Sequence, residues 1–306
     1  MMKFGLLTAI LEGTTFEQAV DFAAENGLEC LEVACWPNAG GAKRRYAGVC
    51  HIDAEALTPE RAAEINAYCA EKGVAISSLG YYPNTMDPDL DKRKTYVDHI
   101  HALIDASSLL GVNMVTTFLG RDSKKTVEEN LALVREVWSP ILRHAEEKGV
   151  KIAIENCPML FTKDEWPGGQ NLMTSPANWR KVFAILDSPN LGINYDPSHF
   201  VWQQIDYIKP LYEFKDKIFH VHYKDIKLYP DRLNDVGIMA YPLEYMSPKL
   251  PGLGDIDWGK YVSALTDIKY NGYSVIEVED KAFEGSLDDA KRAVKLSARY
   301  LRNYIG

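Results

Sequence analysis

The chain has no cysteine pattern that would staple it or hold a thiolate-bound metal. Its five cysteines, Cys30, Cys35, Cys50, Cys69 and Cys157, are odd in number, and no two have the two-residue gap of a redox or zinc motif. That excludes a disulfide-framed secreted domain and fits a reducing, cytoplasmic setting. No apolar run approaches the roughly 20 residues of a membrane span. The apolar N-terminus, Met1 to Leu11, meets Glu12 too soon for a secretory segment and shows no small-residue cleavage site, so it predicts a first strand. Basic excess is also missing. Lys and Arg total 34 against 43 Asp and Glu, a net charge of −9. Such a balance opposes binding to a nucleic-acid backbone unless the basic residues gather in one patch.

What is present is ordinary for a globular protein: 46% hydrophobic and 25% charged residues. At about 150 residues per domain, 306 residues suggest two domains, but α/β barrels commonly exceed 250 as one. A core of that size needs no disulfide help. Along the whole chain an amphipathic helix is followed by Gly or Asn and then a short apolar strand. The predicted strands are Lys3 to Ala9, Leu28 to Ala34, Val74 to Gly80, Val112 to Phe118, Val150 to Glu155, Asn190 to Asp196, Lys217 to Tyr223 and Tyr273 to Glu279. Helix starts are marked by Thr14 with Glu17 three residues on, Thr58-Pro59, Thr126, Ser175-Pro176, Asp257 and Ser286. A further helix is expected around Ile205 to Phe214. Alternation of strand and helix requires a parallel sheet. Eight units without a composition break most simply close into a single-domain (β/α)8 TIM barrel. An open doubly wound sheet is the alternative, but no Gly-rich phosphate turn follows the first strand.

Connections from strand to helix are long after strands two, five and seven, at about 35–57, 156–174 and 224–256. In a barrel these loops share the C-terminal face, where active sites form. Four consecutive units close on polar residues at that same end: Glu155, Asp196, His222 and Glu277. A charge at the rim of a core is costly unless a cation or donor meets it. Each alone has a bland reading, as a helix cap, half an ion pair or a structural His. Together they form an oxygen-rich set that favours Mn²⁺, Mg²⁺ or Co²⁺, with Zn²⁺ not excluded. His220 points to the same face as His222 but one layer deeper, which suits a structural His. Glu279 shares a face with Glu277 at the rim.

The stretches Asp196-Pro197-Ser198-His199, His220-Val221-His222-Tyr223-Lys224-Asp225, Pro251-Gly252-Leu253-Gly254-Asp255-Ile256-Asp257-Trp258 and Ile276-Glu277-Val278-Glu279-Asp280 resemble the xylose-isomerase-like barrels, the sugar phosphate isomerase/epimerase superfamily. The likeness runs through Tyr81-Tyr82-Pro83-Asn84 and Phe118-Leu119-Gly120-Arg121-Asp122. It implies a metal held by Glu155, Asp196, His222 and Glu277, with Mn²⁺ foremost, and His199 facing the substrate. It implies proton abstraction beside a metal-held carbonyl of a keto-sugar or keto-polyol. Glu155 and Glu277 would act on opposite faces, with His199 and Lys224 as polarising or protonating groups. The plainer expectation for Lys224 is an ion pair with Asp225 or a neighbouring acid. Trp36, Tyr81, Tyr82 and Phe118 are expected at the pocket or filling the barrel mouth. Trp166, on a Gly-hinged loop, would stack on a sugar or simply anchor the loop.

The resemblance also divides the outcomes. Ketose 3-epimerases carry a Glu and an Arg where this chain has Phe161 and Leu228. The His222-Tyr223-Lys224-Asp225 run is nearer the inosose dehydratases, and related barrels cleave 3-oxo-glycosides or C-glycosides by elimination. The apurinic-site endonucleases of the same superfamily need histidines after strands two to four. Strands three and four end in Ser78-Leu79-Gly80-Tyr81 and Thr116-Thr117-Phe118. A non-catalytic sugar-binding barrel would have no need of a metal beside opposed carboxylates. The expectation is an isomerase or epimerase of a small sugar or polyol, a lyase as runner-up, no nucleic-acid or membrane partner, and a homo-oligomer left open.

Overall fold

The structure, a computed structural model, describes residues 2–37, 48–160 and 168–305. Eight parallel strands close a barrel: β1 (Lys3–Leu7), β2 (Cys30–Ala34), β3 (Ala75–Gly80), β4 (Met114–Thr117), β5 (Lys151–Glu155), β6 (Leu191–Tyr195), β7 (Ile218–Tyr223) and β10 (Tyr273–Ile276), which pairs back onto β1. This is the expected (β/α)8 architecture in one domain. The strands are near-continuous apolar runs because helices cover one face and the barrel interior the other. Every residue of β2 and of β6 is buried. Between helices and strands the core is anchored by the fully buried Trp138, Trp179 and Trp258. No described helix is long and apolar enough to cross a membrane.

Several element ends differ from expectation, each for a local reason. The first helix, Phe16–Glu25, is capped by Thr15 rather than Thr14. The Thr15 hydroxyl accepts from Gln18 N at 3.2 Å and Gln18 Oε1 accepts from Thr15 N at 2.9 Å, while the Thr14 hydroxyl donates to Leu11 O. Strand one gives way to a short 3₁₀ turn at Thr8–Ile10. The helix expected over Ile205 to Phe214 shrinks to Lys209–Glu213, because the Asp206 side chain holds Ile208 N and Lys209 N in a turn. An extra helical turn, Ser198–Trp202, follows β6 at once. The last strand ends at Ile276, so Glu277 stands just past it.

The connection at 224–256 is not a bare loop. It folds as an antiparallel pair, β8 (Asp225–Leu228) with β9 (Met246–Lys249), around a short helix, Pro230–Val236. Asp225 fastens this excursion to the barrel. Its buried carboxylate accepts from Ile226 N (2.8 Å), Gly252 N (2.9 Å), Gly254 N (3.3 Å), Ile256 N (3.2 Å) and Trp258 Nε1 (2.9 Å). Burial pushes the Asp225 pKa up and these donors pull against it. The Pro251–Trp258 motif is therefore a carboxylate-wrapping turn that leads into the helix Trp258–Asp267. Asp225→Ala would leave those donors without an acceptor, so urea denaturation should show a loss of about 3 kcal/mol or more. A loss below about 1 kcal/mol would mean that water or a neighbour replaces the carboxylate.

Candidate active site

Strand register brings the four polar strand ends to one rim. Glu155 pairs with Asn194 across β5 and β6, and His222 with Val275 across β7 and β10. One donor atom from each of Glu155, Asp196, His222 and Glu277 lies within 4.8 Å of the others. His222 Nδ1 stands 2.9 Å from Glu277 Oε2 and 3.8 Å from Glu155 Oε1. His199 joins them from the turn after β6, its Nε2 3.2 Å from Asp196 Oδ2 and 3.4 Å from Glu155 Oε1. Lys224 does not pair with Asp225, which faces the other way. Its ammonium sits among the acids, 2.9 Å from Asp196, 3.0 Å from Glu277, 3.6 Å from Glu279 and 3.8 Å from Glu155.

The environment separates the carboxylates. Burial raises the Glu155 pKa, the charge of Glu277 adds to it, and Lys224 and His199 only partly offset them. For Asp196 burial is outweighed by Lys224 and His199, which hold it far below the usual carboxylate range. Glu277 is likewise lowered against burial by Lys224 and His222. Burial disfavours the His222 imidazolium, yet Glu32 and Glu277 raise its pKa well above normal. Carboxylates pushed apart in this way suit different acid–base tasks.

Glu32 was not singled out in the sequence. It is fully buried in the middle of β2, among Cys30, Leu31, Val33 and Ala34. Its Oε2 lies 2.7 Å from His222 Nε2, and its Oε1 accepts from Thr116 Oγ1 at 2.7 Å and from the Tyr82 hydroxyl. Burial alone would raise its pKa, but His222 and His220 bring it down to about 2. Gly80 makes the space, since a Cβ there would meet Glu32 Oε1 at 2.7 Å. Deeper in the barrel, His220 is held by Asn194 Oδ1 and Ser77 Oγ, each at 3.0 Å. An acid inside an otherwise apolar strand was the available signal for Glu32.

The aromatic residues divide. Tyr82 turns inward, its ring 4.9 Å from Phe118 and 6.4 Å from His222, and Trp36 packs 6.0 Å from it. Tyr81, expected at the pocket, instead lies in the core against His99 at 4.7 Å, because successive side chains leaving β3 point to opposite sides. Trp166 falls outside the described residues.

A family model described as the xylose isomerase-like TIM barrel matches residues 20–304. The chain belongs to that family. Among curated relatives, the uncharacterized protein YfiH of Bacillus subtilis (strain 168) is 25% identical over 91% of this chain and 93% of its own length. An inosose dehydratase of Clostridium tetani (strain Massachusetts / E88) is 23% identical over 69% of this chain and 71% of its own. Two solved structures superpose with a TM-score of 0.71: the probable 3-DHS dehydratase AsbF of Bacillus anthracis (18% identity, 99% of both chains) and the 3-keto-D-glucoside 4-epimerase YcjR of E. coli (16% identity, 99% and 100%). At those identities the likeness is one of fold.

The donor set of this xylose isomerase-like barrel fits a divalent cation. Glu155 Oε1, Asp196 Oδ2 and His199 Nε2 are buried at the cluster without a directional hydrogen bond. Buried polar atoms are rarely left so. Three carboxylates and an imidazole suit a hard or borderline metal. Beside the cluster a cavity of about 590 Å³ opens between the 157–160 segment and the excursion, with His199, Lys224 and Glu279 on its wall. A carboxylate on the far nitrogen of a ligating histidine fixes its orientation and basicity. Glu32→Gln should therefore weaken Mn²⁺ binding about 10–100-fold in a calorimetric titration of the metal-free protein. An unchanged affinity would show that Glu32 does not bear on His222.

Proposed function

We propose that the protein is a divalent-metal-dependent isomerase or epimerase that removes a proton next to the carbonyl of a keto-sugar or keto-polyol. The convergence of Glu155, Asp196, His222 and Glu277 within one small volume carries this reading. These four residues would hold the ion, Mn²⁺ foremost, with Mg²⁺, Co²⁺ or Zn²⁺ as other occupants. A bound divalent ion supplies polarisation of the carbonyl and counters the negative charge that develops beside it. Glu155, whose pKa burial and the charge of Glu277 push up, takes the proton. Glu277, three strands away around the rim, stands across the mouth to return one. Lys224 and His199 donate to substrate oxygens, and Tyr82, Phe118 and Trp36 close the opposite wall against water.

A second reading is elimination from a related substrate. The Lys224 ammonium and the His199 ring both reach the cluster, where a leaving oxygen would need a proton. The dehydratase names among the relatives lean the same way. A nuclease reading has little support, since the His-rich ends it needs on the third and fourth strands are occupied by Tyr81 and Phe118.

Incubation in D₂O with keto-sugars, inososes and 3-oxo-glycosides, with Mn²⁺ present, tests the proposal. Solvent deuterium at one carbon without fragmentation is the expected result, and released water or aglycone would move the assignment to a lyase. Chelation should abolish exchange and added Mn²⁺ restore it. Glu155→Gln should slow exchange about 10²–10⁴-fold. No exchange with any of these substrates would sink the reading.

A further inference from the structure

The second strand keeps a partner after it leaves the barrel wall. Cys35, the next residue after β2, lies opposite Cys50 in an isolated antiparallel bridge. Two backbone hydrogen bonds frame the pair. Trp36 N donates to Val49 O at 3.1 Å, and His51 N donates to Ala34 O at 2.9 Å. Those bonds belong to the flanking residues, so Cys35 and Cys50 occupy a non-hydrogen-bonded position of the ladder. There opposed Cα atoms approach to about 4.5 Å and both side chains leave on one face. A disulfide spans Cα separations of roughly 4.4–6.8 Å, so bonding calls for side-chain rotation and no backbone movement. Alternation fixes the face. Ala34, Trp36 and Val49 share a small apolar cluster, with Trp36 6.0 Å from Tyr82, while Cys35 joins Val33 in the main core. The Cys35 backbone is held without help from its sulfur. Its N–H donates to Gly80 O at 2.9 Å, and its carbonyl oxygen lies 2.8 Å from His99 Nε2.

Both cysteines are thiols in this structure. Cys35 is fully buried and its Sγ donates to Val33 O at 3.3 Å, whereas Cys50 is partly exposed. Burial raises both thiol pKa values. Asp53 helps to push Cys50 up to about 11, and the charge of Cys50 raises Cys35 further, as neighbouring sulfurs should. We propose that Cys35 and Cys50 are a reversible disulfide pair, a site at which a small disulfide of the oxidised-glutathione class staples the neck of the connection after β2. The exposed Cys50 sulfur attacks the small disulfide, whose S–S bond breaks and whose other half leaves as a thiol with the Cys50 proton. Cys35 then attacks Cys50 Sγ, the mixed disulfide breaks, and the second small thiol leaves with the Cys35 proton. The protein gives up two electrons and two protons, and the oxidant takes both. Excess small thiol reverses the sequence at the same exposed sulfur. The closed bridge makes a ring of the residues from Trp36 to Val49, which restricts the unfolded chain, and it clamps the ladder that seats Trp36 beside Tyr82. No sequence motif marks the pair, because its members lie far apart in the chain. The inference stands apart from the proposed proton chemistry.

The test equilibrates the whole protein with oxidised glutathione or with excess dithiothreitol, alkylates the remaining thiols and maps the peptides by mass spectrometry. One cross-link, Cys35 to Cys50, should form with the oxidant and vanish with dithiothreitol. The oxidised protein should melt about 3 °C or more above the reduced one. Cys50→Ser, at the partly exposed position, should abolish both the cross-link and the difference in melting temperature, with its fold checked by circular dichroism. Cys35→Ala should do the same and leave Cys50 carrying a single glutathione. A glutathione that persists on Cys50 of the unmodified protein, a cross-link through Cys30, Cys69 or Cys157, or no cross-link at all would overturn the proposal. So would a Cys35–Cys50 bond that leaves the melting temperature unchanged or lowers it, since the folded ladder would then not hold the sulfurs ready to join.

Discussion

Three carboxylates meet in a place where water cannot reach all of them. Glu155, Asp196 and Glu277 share a volume a few ångströms across with His222. Like charges that close, in a poorly solvated setting, repel strongly, and burial adds to the cost of each. Positive charge must be delivered there, and the protein delivers it from several directions. Lys224 puts an ammonium among the acids, and His199 and His222 face them from either side. The raised pKa of Glu155 marks the point where this compensation falls short. A carboxyl whose ionisation is resisted by burial and a neighbouring acid, in a cleft, is the kind of group that moves protons.

The barrel keeps this strained arrangement apart from what stabilises the molecule. Trp138, Trp179 and Trp258 fill the space between helices and strands, and the helices begin at well-formed caps such as Thr15 and Thr126. None of these touches the cluster. The acids stand at the strand ends, so backbone pairing below them fixes their spacing whatever the loops do. Glu32 extends that control inward. A strand on the opposite side of the barrel reaches across the interior to hold His222, and Thr116 and Tyr82 hold Glu32 in turn.

Much of this was legible in the chain. The apolar runs that close on Glu155, Asp196, His222 and Glu277 were visible because parallel strands are apolar throughout and helix ends are marked by Gly or Asn. The rest depended on partners far away in sequence. Nothing near Glu32 indicates a histidine 190 residues later. Which of Tyr81 and Tyr82 turns inward depends on the residue at which β3 leaves the barrel wall, and strand boundaries are the least certain part of any reading from periodicity. Thr14 and Thr15 offer the same hydroxyl, and the reciprocal bond from Gln18 decides between them. The hairpin inside 224–256 was hidden because its strands are short and one carries Pro248.

Lys224 and Asp225 are chain neighbours with opposite destinations. One side chain enters the acidic cluster, and the next grips the turn at Gly252 to Ile256. A single peptide bond thus joins the ammonium that balances the acids to the clasp that sets where the apolar hairpin rests. The residue that neutralises the acids and the residue that seats the hairpin therefore share one short stretch of backbone.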